Sequence, residues 1–466
     1  MSASDERDPR VAAWLQREAP AGLDETALRV IADQVGTTPQ RRHGWGSLFA
    51  TAAPILAGTV AVALLATLVM VVLPRGEGGR PLGSAAVAAS GTPVASPTVS
   101  PAPSEPAGPA TWSAFGLPDP RPEEIQGEIT NDAVAGGPGF VAVGRSYPAN
   151  TDFESFDETQ WTAAIWTSVD GATWALAEDI EALGPADLRA VAAGPGGRLL
   201  AVGYPNEALG PDEVAPTGVG MWHSADGIHW ESVPALDADV YGFADVIGTD
   251  ERWLAAGHAD GIGPTIFTSA DLENWTAEQL ASEEDEIDGL FGGAPERVLA
   301  YGCDHPVEDE WGLRAGCADP TGWLRAGDGW EAVQLPVLPA VGAVIGDRYV
   351  IIGQGEAGAE TFSSIDGRTW EAGDTLPGEA FVSSLTVTDG GLAAGGSMHV
   401  GNDRFLPWVW LSPDGRRWEV SEELPVEGTP NEPTVMAIIQ TPSGLVGLGY
   451  AYYDKPVAQG WIRSQP

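Results

Sequence analysis

Acidic side chains are the first candidates for chemistry in this sequence, because glycoside hydrolysis needs two carboxylates at a set separation. Of the 66 Asp and Glu residues, 57 lie from Thr111 onward, against 15 of the 23 basic residues. At that density some pair meets the spacing by chance, so carboxylates alone select no reaction. No Gly-x-Ser-x-Gly elbow follows a strand pattern, which leaves a serine nucleophile without a local signature. Cys303 and Cys317 are the two cysteines, and His305 follows the first closely enough to invite a metal reading. Zinc ligands come in paired short spacings, which are lacking here. A Cys303–Cys317 disulfide is therefore expected, with no metal and no cofactor. The net charge of −43 excludes nucleic acid as a partner, since phosphate recognition needs clustered Lys and Arg.

The residues that do form a pattern are serine, aspartate, glycine and tryptophan. WTSVDGATW (Trp166–Trp174) returns as WHSADGIHW (Trp222–Trp230), FTSADLENW (Phe267–Trp275), FSSIDGRTW (Phe362–Trp370) and WLSPDGRRW (Trp410–Trp418). The repeated positions are Ser168, Asp170, Gly171 and Trp174; Ser224, Asp226, Gly227 and Trp230; Ser269, Asp271 and Trp275; Ser364, Asp366, Gly367 and Trp370; and Ser412, Asp414, Gly415 and Trp418. A worn copy keeps Asp328, Gly329 and Trp330, and a truncated one, GWIRS, ends at Ser464. Six steps over 296 residues give a period of roughly fifty, in the range of propeller repeats. Each copy follows a second phrase, such as FVAVG (Phe140–Gly144), LLAVG (Leu199–Gly203), VLAYG (Val298–Gly302) or VIIGQ (Val350–Gln354).

The local physics of the phrase is a strand end, a tight Asp-Gly reversal and a returning strand opened by Trp. A buried Trp covers about 150–250 Å², an upper bound of about 4–6 kcal/mol. One hairpin cannot bury that ring, so neighbouring repeats must stack on it. Seven such units arranged radially make an all-β, seven-bladed β-propeller of four-stranded blades.

The phrase resembles the Asp box (BNR repeat) of the sialidase-like propellers, whose pattern is S-x-D-x-G-x-x-W. Members include sialidases, sortilin-type receptors and photosystem assembly factors. Here the box is one residue shorter, and Leu272 follows Asp271. The resemblance covers about Trp112 to the C-terminus and implies the fold; in that family the boxes lie away from the active site. It also implies that a sialidase would carry an arginine cluster for a substrate carboxylate, the first within an Arg-Ile-Pro phrase. No such phrase exists, and Arg121-Pro122, near the right place, lacks the Ile. Arg145, Arg189 and Arg404 could share a face, which keeps a sialidase-like glycoside hydrolase as an alternative.

Strand order follows from the phrases. An inner strand such as Leu188–Ala193 turns into LLAVG, crosses a variable loop and runs into the box hairpin. Inner turns and box turns therefore share one face, with Arg198, Arg252, Arg297, Arg348, Arg368, Arg416 and Arg417, and that face is expected to look toward a membrane. The other face carries long acidic and aromatic insertions, Tyr147–Trp161, Tyr204–Pro216, Asp304–Gly316 and Tyr450–Pro456. Aromatics on loops over a rigid ring suit a binding surface. The ligand-binding candidates are Tyr147, Asp157, Trp161, Asp212, Asp309, Trp311, Tyr452 and Tyr453. TWSAFGLP (Thr111–Pro118) matches the strands after the boxes, so Trp112–Leu117 is expected to pair beside Trp461–Ser464 and close the ring.

Ahead of the repeats lie three further segments. Residues 1–43 read as a short helical segment, expected in the cytoplasm. Within 44–75, Leu48–Leu73 runs 26 residues without a charge, enough for a single transmembrane α-helix, with Arg41 and Arg42 favouring an inside N-terminus. Residues 76–110 are rich in Pro, Ala, Ser and Gly, a disordered stalk, and 111–466 form the propeller. The expectation is a single-pass membrane protein whose extracytoplasmic propeller binds an unknown protein or glycan at the cell envelope without catalysis. A transmembrane sensor acting through a cytosolic partner of residues 1–43 is a further alternative. Protease added to intact spheroplasts is expected to remove the propeller and spare residues 1–43; digestion of that tail instead would reverse the topology.

Overall fold

The computed structural model describes residues 111–118, 125–148, 161–177, 183–205, 220–234, 236, 240–259, 262–282, 285–308, 314–327, 329–355, 358–401, 404–418, 420–453 and 455–464. The segments 1–43, 44–75 and 76–110, with the expected membrane helix, lie outside the described residues. Among those described, no helix is long and apolar enough to cross a membrane.

Seven antiparallel sheets of four strands each make the seven-bladed propeller. The inner strands are Ile125–Gly136, Ala186–Ala193, Val240–Gly248, Glu286–Ala294, Pro339–Ile345, Glu379–Thr388 and Asn431–Thr441, and blades are numbered here in that order. The core lies between blades. Leu200, Val202 and Met221 of blade 2, for example, pack with Phe243, Trp253 and Phe267 of blade 3. Trp166, Trp253, Trp410 and Trp461 are almost fully buried.

Between the third and fourth strands, the repeated turn closes on its own side chains. In blade 1 the Ser168 hydroxyl accepts the Gly171 amide at 2.8 Å and donates to the Thr173 carbonyl at 2.6 Å. The Asp170 carboxylate accepts the Ala172 and Thr173 amides at 2.9 and 2.8 Å. The Trp174 indole donates to the Gly171 carbonyl at 2.9 Å. The serine and aspartate bonds recur at Ser224, Ser269, Ser364 and Ser412. Backbone amides hold the Asp226 and Asp271 carboxyls well below the usual range. The glycine takes φ of +69 to +77° in these turns, and Leu272 takes +67° in its place, a conformation that side chains disfavour.

The second recurring phrase has a separate cause. Every inner strand bulges at the same height, the extra residue being Asn131, Arg189, Ala244, Asp288, Ala340, Ser383 or Met436. A bulge brings the backbone against the neighbouring strand. The residue opposite is the glycine that ends each phrase. A Cβ on Gly144 would stand 1.9 Å from the Ile129 carbonyl oxygen, and one on Gly203 2.0 Å from that of Asp187.

The bulges also tie blade to blade. Asp132 accepts the Val191 amide of blade 2 at 2.9 Å, and Asp245 accepts the Leu290 amide of blade 4 at 3.0 Å. Ser383 donates to the Val435 carbonyl of blade 7 at 2.7 Å.

The ring closes as expected: Thr111–Gly116 is the outer strand of blade 7, antiparallel to Pro456–Ser464, with Thr111 opposite Ser464 and Trp112 opposite Arg463. One register differs from the sequence reading. Val446 pairs with Ile462, so Arg463, not Ser464, stands where the other blades place the box serine. Arg325 takes that place in blade 4, whose box is worn. Each arginine reaches back to the same register position on the preceding blade's outer strand, Arg325 to Glu278 at 2.6 Å and Arg463 to Glu422 at 2.8 Å. Cys303 and Cys317 form the expected disulfide, joining the long hairpin Arg297–Glu308 and Arg314–Ala326 of blade 4. Closing a loop of about 15 residues contributes about 3 kcal/mol in the chain-entropy model.

Deleting Thr111–Pro118 removes the fourth strand of blade 7 and exposes its edge. The melting temperature is expected to fall sharply, and an unchanged melt would mean that the ring closes without this strand.

Candidate channel-mouth site

The variable-loop face holds a buried polar cluster where blades 1 and 2 meet. Arg145 and Arg189 both reach one oxygen of Asp187, at 2.6 and 2.8 Å. The Asn131 amide donates to the other Asp187 oxygen at 3.0 Å and to the Leu188 carbonyl at 2.7 Å. Asp187 is 1% exposed and Arg145 9%, so the pair is removed from water. Leaving either charge alone there would cost several kcal/mol.

Aromatic rings enclose Arg145. Its guanidinium lies 4.1 Å from the Trp161 ring centroid, and its Nε donates to the Tyr147 hydroxyl at 3.0 Å. Burial works against its charge, and Asp187 more than restores it. The Tyr452 hydroxyl bonds that of Tyr147, and burial raises both phenols. Tyr147, Trp161 and Tyr450 form a buried cluster with Ile129, against which Tyr452 packs.

The sequence-predicted residues divide accordingly. Tyr147 (1% exposed) and Trp161 (7%) were expected on an open binding surface, but they are core residues that hold Arg145 in place. The reason is position: each sits where its insertion joins a strand, so the ring turns under the loop. Tyr452 joins them, while Tyr453 is 38% exposed beside it and donates to the Glu427 carbonyl at 2.9 Å. Asp157, Asp212, Asp309 and Trp311, with Asp328 of the worn box, lie outside the described residues. Asn131, Asp187, Tyr204 and Tyr450 were not predicted. The available signal was polar residues inside otherwise apolar inner-strand phrases, as in Ala186–Ala193.

Arg189 differs from Arg145. Beyond its contact with Asp187 it has no protein partner among the described residues, and it stacks on Tyr204 with its guanidinium 5.3 Å from the ring centroid. Tyr204 is 40% exposed. Its ring lies against the backbone of Gly242, where a Cβ would come within 2.2 Å of it. Burial raises the Tyr204 phenol; Arg189 opposes this, and Asp187, Asp288 and Glu286 add to it. Asn131 Oδ1, in a residue 7% exposed, accepts no protein hydrogen bond. The mouth thus presents the aromatic face of Tyr204 with the Arg189 guanidinium against it, while the Asn131 oxygen lies beneath the surface.

Arg404, the third arginine of the hydrolase alternative, is exposed in the Val400–Arg404 turn of blade 6 and does not join the other two. A substrate carboxylate at Arg145 and Arg189 would have to displace Asp187. Among the described residues no group of three or more His, Cys, Asp or Glu could hold a metal ion. On the opposite face, Arg368 pairs with Glu331, Arg416 with Glu371 at 2.7 Å, and Arg198 donates to the Asp271 carbonyl at 3.0 Å. Three of the seven arginines expected there to face a membrane are therefore engaged between blades.

No family model matches this chain, and no curated protein does. Solved structures similar to it include YCF48 bound to D1 peptide, at 16% identity and TM-score 0.44, covering 76% of this chain and 97% of that one. RRP9 WD40 repeats are 10% identical with TM-score 0.46, covering 76% of this chain and 97% of that one. Trypanosoma rangeli sialidase in complex with the inhibitor DANA is 13% identical with TM-score 0.38, covering 73% of this chain and 55% of that one. At these values the likeness is one of architecture and carries nothing about a ligand.

The inter-blade carboxylates make stability depend on pH. Burial pushes Asp132 up to about 6 and Asp245 up to about 7, with Asp132 adding to the rise at Asp245. A carboxyl raised in the folded state favours folding when protonated, so its contribution is lost as pH rises through the folded value. The melting temperature is expected to rise as pH falls from 8 to about 5. Each group contributes at most about 1.4 kcal/mol per pH unit. Asp245→Asn, which keeps a carbonyl acceptor, should flatten this slope; an unaltered slope would remove Asp245 as a cause.

Proposed function

We propose that this chain is an Asp-box propeller of the sialidase-like superfamily, anchored through Leu48–Leu73, that serves as a non-catalytic binding module at the cell envelope. The observation that carries the reading is the exposed Tyr204 ring with the Arg189 guanidinium 5.3 Å from its centroid. That arrangement offers a partner an aromatic platform backed by a cation, features that suit a protein surface or a polyhydroxylated ligand. Supporting it, Arg145 is held by Asp187, Tyr147 and Trp161, which leaves it a structural part of the site rather than a free hand for substrate. Asp157, Asp212, Asp309 and Trp311, within the insertions 149–160, 206–219 and 309–313, are the further contacts of this reading.

The test is a crosslinking pull-down from intact cells with a tag after Pro466, repeated with Arg189→Met and with Tyr204→Ala. Both variants should lower capture of the partner at least tenfold with the melt within a few degrees of the parent. Trp161→Ala is the contrasting variant: losing a buried indole costs about 3–5 kcal/mol, so its melt should fall. Capture that survives both substitutions but is lost on charge reversal at Arg368, Arg416 and Arg417 would place binding on the other face. Turnover of a chromogenic sialoside by the purified protein would make it a hydrolase.

A further inference from the structure

Each intact box turn fills a particular space. The glycine of the blade 6 turn, Gly415, packs between Val350 of blade 5 and Leu392 of its own blade. Gly227 of blade 2 likewise packs between Val141 and Pro138 of blade 1 and its own Leu199. Gly367 of blade 5 sits on Leu324, in the third strand of blade 4. The boxes of blades 1 and 2 thus lie against the inner turn of the blade before, at Thr441 and at Gly137–Pro138.

Among the described residues blade 7 has no such cap. Trp112 pairs with Arg463 as Trp174 pairs with Ser168, so the two chain segments meet where a five-residue turn would stand. The Trp112 indole, lacking a turn carbonyl, donates to Glu422 at 2.6 Å. At this seam lies a cavity of about 370 Å³, lined by Thr388, Leu392, Leu411, Gln440, Leu445 and Arg463 among others. Its lining repeats the box environment position by position. Leu445 stands where Leu199 and Leu392 meet their own box glycine, Leu411 where Leu324 does, and the Thr388–Gly390 turn where Pro138 does.

We propose that the cavity is occupied by the chain's own residues 103–110 (PSEPAGPA), which fold back over the seam as a substitute cap. Thr111, held opposite Ser464, delivers residue 110 to the rim. A segment tethered this closely acts at a millimolar effective concentration, above that of most free competitors. Its Pro, Ala and Gly residues are small enough for a site that elsewhere takes a glycine turn, and proline reduces the entropy lost on docking. The proposal is independent of the channel-mouth reading.

Full-length protein carrying a photo-crosslinking benzophenone side chain at Asp389, on the exposed rim, provides the test. A control places the group at Asp347, on the equivalent turn of blade 5, whose second strand meets the Gly415 turn at Val350. Isotope-labelled and unlabelled chains are mixed, and digests are mapped by mass spectrometry. Crosslinks from Asp389 to residues 103–110 of the same chain, at least fivefold above the control and reduced by Leu411→Glu, are expected. Crosslinks between labelled and unlabelled chains, crosslinks to another protein, or yields equal to the control would overturn the proposal.

Discussion

One close approach of backbone to backbone sets the form of this ring. In five blades the second strand passes an inner-strand bulge at a residue that can only be glycine, since a Cβ at Gly144, Gly203, Gly302, Gly396 or Gly449 would meet a carbonyl oxygen at about 2 Å. The bulge turns polar side chains sideways, toward the next inner strand, where Asp132, Asp245 and Ser383 find backbone partners. Because the same device recurs seven times at one height, blades join edge to edge around the channel through bonds made at bulges as well as through side-chain packing. The polar cluster of blades 1 and 2 is a by-product of it: Arg189 and Asn131 are themselves bulge residues.

Charge follows a related rule. The propeller is strongly acidic, and several of its few arginines bridge neighbouring blades. Arg325, Arg368, Arg416 and Arg463 each meet a glutamate on the outer strand of the blade before, and Arg145 of blade 1 meets Asp187 of blade 2. The exposed pairs contribute little singly. Arg145–Asp187 is different in kind, because its partners are desolvated and one left alone would be a buried charge. The pairs lie along the seams, where they also oppose the mutual repulsion of the acidic blades.

Much of the architecture was legible in the sequence because the box is local. Ser168, Asp170, Gly171 and Trp174 satisfy one another within seven residues, so their spacing alone specifies the turn. Ring closure by Thr111–Gly116 and the Cys303–Cys317 bond were legible for the same reason: a phrase matched its copies, and two cysteines flanked one insertion. The site was less legible, because a bulge resets which residues face the channel and strand alternation cannot be counted through it. Asp187 and Arg189 therefore looked like ordinary inner-strand residues. Tyr147 and Trp161 looked like loop aromatics, although the cation they enclose is contributed by their own blade and its counter-ion by the next. The one-residue offset at Ser464 has a similar origin, since a serine beside the true position imitated the box where Arg463 had replaced it.

The direction of the closing strand has a mechanical meaning. Thr111–Gly116 starts at the box face and runs antiparallel to Pro456–Ser464, toward the face that holds Arg189 and Tyr204. A pull applied at residue 110 and resisted at that far face acts along the strand axis. All the hydrogen bonds of the pair then bear the load together, in shear, instead of parting one by one. Resistance to such a pull is set by the rate of strand detachment rather than by equilibrium stability. A ring fastened in this way lets go slowly under tension even where its overall fold is only modestly stable.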